Sequence, residues 1–85
     1  MINIKVVGSG CANCKKLESL CQEVVTEEGV TAEIEKVTDF KLFADLGIFM
    51  TPGLLINNQV VSSGKIPTKA TLVHWIKNAL AQQTP

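Results

Sequence analysis

Residues 2 to 7 alternate Ile2, Ile4 and Val6 with Asn3, Lys5 and Val7, a period of two that predicts a strand. Gly8-Ser9-Gly10 interrupts it. From Cys14 the apolar positions step by three and four through Leu17, Leu20, Cys21, Val24 and Val25, tracing one face of a helix. Lys15, Lys16, Glu18, Glu23 and Glu27 fall mostly on the opposite side, and Gly29 supplies a stop. Over residues 31 to 37, Ala32 and Ile34 alternate with Glu33 and Glu35, charges that suit an exposed edge strand. Thr38-Asp39 is a helix cap, a short helix is expected from Phe40 to Leu46, and Gly47 ends it. Leu54-Leu55-Ile56, Asn57-Asn58 and Val60-Val61 spell a hairpin, because Asn tolerates the positive φ of a tight turn. Thr68 caps a last amphipathic helix through Leu72, Val73, Trp75, Ile76, Ala79 and Leu80, and residues 81 to 85 are expected to form a frayed, flexible tail.

The predicted order is β-α-β-α-β-β-α. A crossover helix makes the first two strands parallel, and the hairpin adds antiparallel ones, so the sheet is a four-stranded mixed one in an α/β domain over residues 1–80. The chain has 85 residues, 46% of them hydrophobic, enough for one compact core and too few for two domains. Charge excludes more than it suggests. Eight lysines balance eight acids and there is no arginine, so the electrostatic footprint of nucleic-acid binding is missing. No apolar run reaches membrane-spanning length, and the opening Met-Ile-Asn-Ile-Lys reads as a strand rather than an export signal, so a cytoplasmic location and no membrane partner are expected.

Three cysteines are an odd number, which argues against a secreted disulfide scaffold. Two of them, Cys11 and Cys14, make a C-x-x-C. On that spacing alone the pair fits redox chemistry or half of a metal site. A structural zinc wants four ligands, and the other soft candidates are only Cys21 and His74. Cys21 lies two helical turns past Cys14, roughly 10 Å along the axis, too far to share an ion with it. No metal is therefore expected. Cys11 falls at the start of the first helix, where free N–H groups, the helix dipole and nearby Lys15 and Lys16 favour a thiolate. Cys14 falls one turn on, on the apolar face, and is expected to be the more buried. An exposed, acidic thiol beside a buried one suits dithiol exchange: Cys11 attacks and Cys14 resolves. Cys21 reads as a small core hydrophobe, Trp75 as core, and His74 as an incidental residue on the outer face.

These residues resemble the thioredoxin-like fold. Gly10-Cys11-Ala12-Asn13-Cys14-Lys15-Lys16 is similar to its entry from strand to helix, and Gly47-Ile48-Phe49-Met50-Thr51-Pro52-Gly53-Leu54-Leu55-Ile56 to its G-[IV]-x-x-[TI]-P-x-L stretch. The likeness runs over essentially the whole chain, and is nearest to the small redox-active disulfide proteins of minimal thioredoxin or glutaredoxin type. It implies helices on both faces of the sheet and a cis Thr51–Pro52 bond. It also implies a substrate surface built from Thr51, Pro52, Gly64, Ala12 and Asn13. The chain departs from thioredoxins proper in having no aromatic before Cys11, and Lys5 where they carry a buried acid. It departs from glutathione-using relatives in having Met50-Thr51-Pro52 and a single Gly64, so glutathione use is not expected.

The reading is a monomeric thiol–disulfide oxidoreductase with no cofactor, a separate disulfide reductase as electron donor, and a protein or small-molecule disulfide as substrate. Two rivals stand beside it. One is a Cu(I)-type carrier holding the ion between the C-x-x-C thiolates, although such carriers run β-α-β-β-α-β. The other is a module of the same fold that binds or regulates and turns over slowly.

Overall fold

The computed structural model describes residues 2–8 and 12–82. The elements follow in the order β1 (Ile2–Val7), α1 (Ala12–Glu27), β2 (Ala32–Val37), a 3₁₀ turn (Phe40–Leu42), β3 (Gly53–Ile56), β4 (Gln59–Ser63) and α2 (Lys69–Gln82). The four strands form one mixed sheet in the order β2-β1-β3-β4. β1 runs parallel to β2, with Ile4 opposite Ile34, and antiparallel to β3, with Lys5 opposite Leu55. The charged strand β2 is an edge, as its Glu33 and Glu35 suggested. The β3–β4 hairpin turns through Asn57 and Asn58, both at positive φ (51° and 67°). Between Leu54 and Leu55 the register slips, so that Leu54 faces Ser62 while Leu55 faces Val60. Val61 is the extra residue of this bulge, and it turns toward the main core.

The period of two decides which side each strand residue serves. Ile2, Ile4 and Val6 of β1, with Leu54 and Ile56 of β3, form the floor of the larger core. Leu17, Cys21 and Val24 of α1 and Leu72, Ile76 and Ala79 of α2 roof it. Val7 and Leu55 point the other way and meet Ile48, with Val37, Phe43 and Leu46 around them. Gly53 makes that second core possible, because a β-carbon there would sit 2.6 Å from Ile48 Cδ1.

Both α-helices therefore lie on one face. The opposite face is covered by the segment from Phe40 to Ile48, where a helix to Leu46 was expected and only a 3₁₀ turn forms. Asp39 caps it, accepting from Lys41 N at 3.0 Å. Beyond Leu42 the chain continues in turns, closed by Ile48 N donating to Phe43 O at 2.8 Å. Within the expected helix, Phe40 to Leu46, only Phe43 and Leu46 reach the core while Phe40 and Leu42 stay exposed, so burial does not offset the cost of nucleating a regular helix. The last helix departs from expectation in the other direction. No glycine or proline occurs within it, and it runs through Ala81 to Gln82, two residues into the expected tail. The rest of that tail, 83–85, lies outside the described residues. Lys69 at the start of α2 bridges Glu23 and Glu27 of α1, tying the two helices together over the core. Among the described residues, no helix is long and apolar enough to cross a membrane.

Candidate active site

Cys14 stands in the first turn of α1, 6% exposed. What brings its sulfur against the sheet is Gly8, the residue that follows β1: a β-carbon on Gly8 would overlap Cys14 Sγ. That same β-carbon would lie 3.9 Å from Thr51 Cβ, so Cys14 and Thr51 converge on one glycine. Thr51 is exposed and Pro52 buried, and the peptide bond between them is cis. The loop they belong to is fastened from β4. Ser63 Oγ donates to Met50 O at 3.1 Å, and Gly64 N donates to Pro52 O at 2.9 Å. Gly64 adopts φ +76°, and its bare α-carbon lets Met50 lie across it, since a β-carbon would come within 3.0 Å of Met50 Cβ.

The structure thus gathers Cys14, Thr51, Pro52 and Gly64 at one end of the sheet. Ala12 and Asn13 are exposed at the start of α1 beside them. Cys11, together with Ser9 and Gly10, lies outside the described residues. Cys14 is disulfide-bonded and so does not titrate in this state. Cys21 is a free thiol with no exposed surface, and burial pushes its pKa up to about 12. It remains protonated and enclosed among Leu17 and Val24, as its place on the apolar face suggested. His74 is exposed, while Trp75 is only half-buried. Trp75 lines a cleft of about 240 Å³ with Asn57, Gln59 and Asn78, at the hairpin end of the sheet, away from Cys14.

Periodicity missed two features. One is apolar surface: Phe49 is 82% and Met50 65% exposed, immediately before Thr51, forming a hydrophobic rim at the cysteine end. The other is Glu18, assigned above to the polar side of α1. It is half-buried, with a side chain 20% exposed, and pairs with Lys36 of β2 at 3.1 Å. Its position four residues after Cys14 is the signal that could have found it, because i and i+4 are neighbours on a helix surface. Cys14, Glu18 and Lys36 line one small cleft of about 90 Å³, walled by Val6 of β1 and by Gly8 just after that strand. Lys5 is on the other side of the sheet, where its Nζ donates to Asn58 Oδ1 at 2.9 Å.

Comparison with known proteins converges with this geometry. A family model described as a thioredoxin domain matches residues 2–77. A protein named thioredoxin from Methanothermobacter thermautotrophicus is 35% identical over 69 residues, covering 81% of this chain and 90% of its own. A second protein of that name, from Methanocaldococcus jannaschii, is 35% identical over 80 residues, covering 94% of this chain and 92% of its own. With the fold, the cysteine end and both relatives in agreement, this chain belongs to the thioredoxin domain family.

Proposed function

We propose that this protein is a thiol–disulfide oxidoreductase in which Cys11 is the nucleophile and Cys14 the resolving thiol. The observation that carries the reading is the seat of Cys14. It is buried against Gly8, the glycine that Thr51 also approaches, in a chain whose relatives bear the name thioredoxin. In the reducing direction, the Cys11 thiolate attacks a substrate disulfide and forms a mixed disulfide, expelling one substrate thiolate. Cys14, once deprotonated, attacks the Cys11 sulfur, forming the Cys11–Cys14 disulfide and expelling the second thiolate. The protein dithiol gives up two electrons and the substrate disulfide accepts them, so a separate reductase must restore the dithiol. No cofactor enters these steps. Thr51, Pro52, Gly64, Ala12 and Asn13 form the surface on which an extended disulfide substrate lies, with Phe49 and Met50 offering apolar contact at its rim. The protein acts as a monomer in the cytoplasm.

The test is insulin reduction with a chemical reductant as electron source. The wild type is expected to turn over, Cys11→Ser to be inactive, and Cys14→Ser to accumulate a mixed disulfide visible by mass spectrometry. Turnover by Cys11→Ser would sink the assignment. The potential of the couple then gives its direction: near about −270 mV the protein is a reductant, near about −120 mV an oxidant.

A further inference from the structure

Three of the described residues carry sulfur, and each meets an oxidant differently. Cys14 is disulfide-bonded and 6% exposed, so in this state it has no thiol to offer. Cys21 has no exposed surface and burial holds it protonated, whereas oxidation of a cysteine starts from an accessible thiolate. Met50 is 65% exposed. A thioether has no proton to lose, so access is enough for its oxidation. Its position gives that oxidation a consequence. Gly64 has no side chain, and Met50 lies across it: a β-carbon at Gly64 would come within 3.1 Å of Met50 Cε and 3.5 Å of Sδ. The backbone beneath is fixed, with Met50 O accepting from Ser63 Oγ and Pro52 O from Gly64 N. The sulfur therefore lies over Gly64, one residue before Thr51 and one after the exposed Phe49, in the apolar rim of the proposed substrate surface.

We propose that Met50 is a site of reversible oxidation by hydroperoxides, and that its sulfoxide slows reduction of protein disulfides while leaving the cysteine chemistry intact. The effect on substrate rests on the disulfide exchange proposed above. The thioether sulfur attacks the terminal oxygen of the hydroperoxide, and the O–O bond breaks. The proton of that terminal hydroxyl ends on the departing oxygen. The sulfur gains one oxygen and loses two electrons, and the peroxide is reduced to water or an alcohol. A flexible apolar chain end becomes a polar, chiral one, so the apolar flank of a substrate meets an S–O dipole. A methionine sulfoxide reductase restores the thioether, so the mark persists when the disulfide alone is reduced.

The test starts from the disulfide form, treated with hydrogen peroxide, mapped by mass spectrometry and then reduced with dithiothreitol for assay. One added oxygen is expected on the peptide carrying Met50, at a rate within about threefold of that in the urea-unfolded chain. Insulin reduction at subsaturating insulin is expected to fall about fivefold, the loss of a thioether's apolar contact. Bis(2-hydroxyethyl) disulfide has no apolar flank, and its reduction is expected to stay within about twofold of the untreated rate. Treatment with a methionine sulfoxide reductase should restore insulin reduction. Met50→Leu, compared with its own untreated form, should lose nothing to peroxide. Oxidation of Met50 slowed more than about tenfold by folding overturns the proposal, because the sulfur is then not accessible. So does unchanged insulin reduction by the sulfoxide, or equal loss on both disulfides. An equal loss in Met50→Leu also overturns it by placing the damage elsewhere. If the untreated protein reduces neither disulfide, the exchange reading fails and the effect on substrate falls with it. The mapped sulfoxide is read without turnover, so the two failures are distinct.

Discussion

At the scale of single residues, two positions act through what they lack. Gly8 lacks a β-carbon, and Cys14 Sγ occupies the space where one would be. Gly8→Ala therefore forces either Cys14 or the end of β1 to move. Overpacking of this kind costs about 1–3 kcal/mol, and the displacement falls on the reacting sulfur. The expected result is a lower urea midpoint together with slower insulin reduction; an unchanged reduction rate would show that the sulfur has another way to sit. Cys21 lacks access to water. Its thiol pKa is raised from 9.0 to about 12, so the native state keeps a proton that the unfolded chain surrenders. The stability this contributes is fully present below pH 9.0 and is lost as pH rises toward about 12. Cys21→Ala is expected to flatten that alkaline decline in denaturation midpoint, while costing about 1 kcal/mol at neutral pH from the cavity. Equal alkaline slopes in both proteins would refute the linkage.

At the scale of elements, the strands and long helices were legible because each repeats one rule many times. β1 alternates from Ile2 to Val6, and the three- and four-residue steps of α1 persist over about three turns, so a single misfit does not hide the period. The stretch from Phe40 to Leu46 has too few repeats for that. Its pattern fits a helix, but which of Phe40, Leu42, Phe43 and Leu46 meets the second core depends on Val7 and Leu55 in strands far along the chain. Glu18 was misplaced for a related reason: its side chain points along the seam between α1 and β2, and a helical wheel carries no information about where β2 lies. Cys11 could be ranked by spacing alone, and its geometry lies outside the described residues. The hairpin turn was readable at residue level, since Asn57 and Asn58 both take positive φ. Asn57 has a second task. Its Oδ1 accepts from Asn3 N at 3.0 Å, while its own N donates to Asn3 O at 2.8 Å, pinning the turn to β1. Asn57→Ala loses the side-chain acceptor and strains the backbone, and is expected to destabilise by about 1–3 kcal/mol in urea titration. Asn57→Gly, which relieves the strain but not the lost bond, should recover part of that; no recovery would assign the whole effect to the hydrogen bond.

At the scale of the whole molecule, chemistry and cohesion occupy different places. The larger core, roofed by both helices, runs the length of the sheet, whereas the cysteine end is held by a few local bonds from Ser63 and Gly64. Reactive-site substitutions that spare Gly8 should thus leave most of the stability intact. The sheet order has another consequence, one of timing. β1 is the earliest strand to be synthesised, yet it lies inside the sheet, with β2 on one side and β3 on the other. Its pairing with β2 becomes available first, but Ile4 has to wait for Ile56, and the floor it shares with Leu54 has no α2 above it until residues 69–82 are made. Through most of translation an inner strand is therefore an edge, with open N–H and C=O groups beside apolar side chains, the condition that invites one chain to pair with another. A fragment ending at Met50 reproduces that moment. It is expected to show little ordered sheet by circular dichroism and to scatter light at concentrations where the full chain stays clear; a monomeric, cooperatively melting fragment would mean that β1, α1 and β2 fold unaided. The same arrangement that surrounds the first strand with partners in the finished protein makes it the last to be protected while the protein is being built.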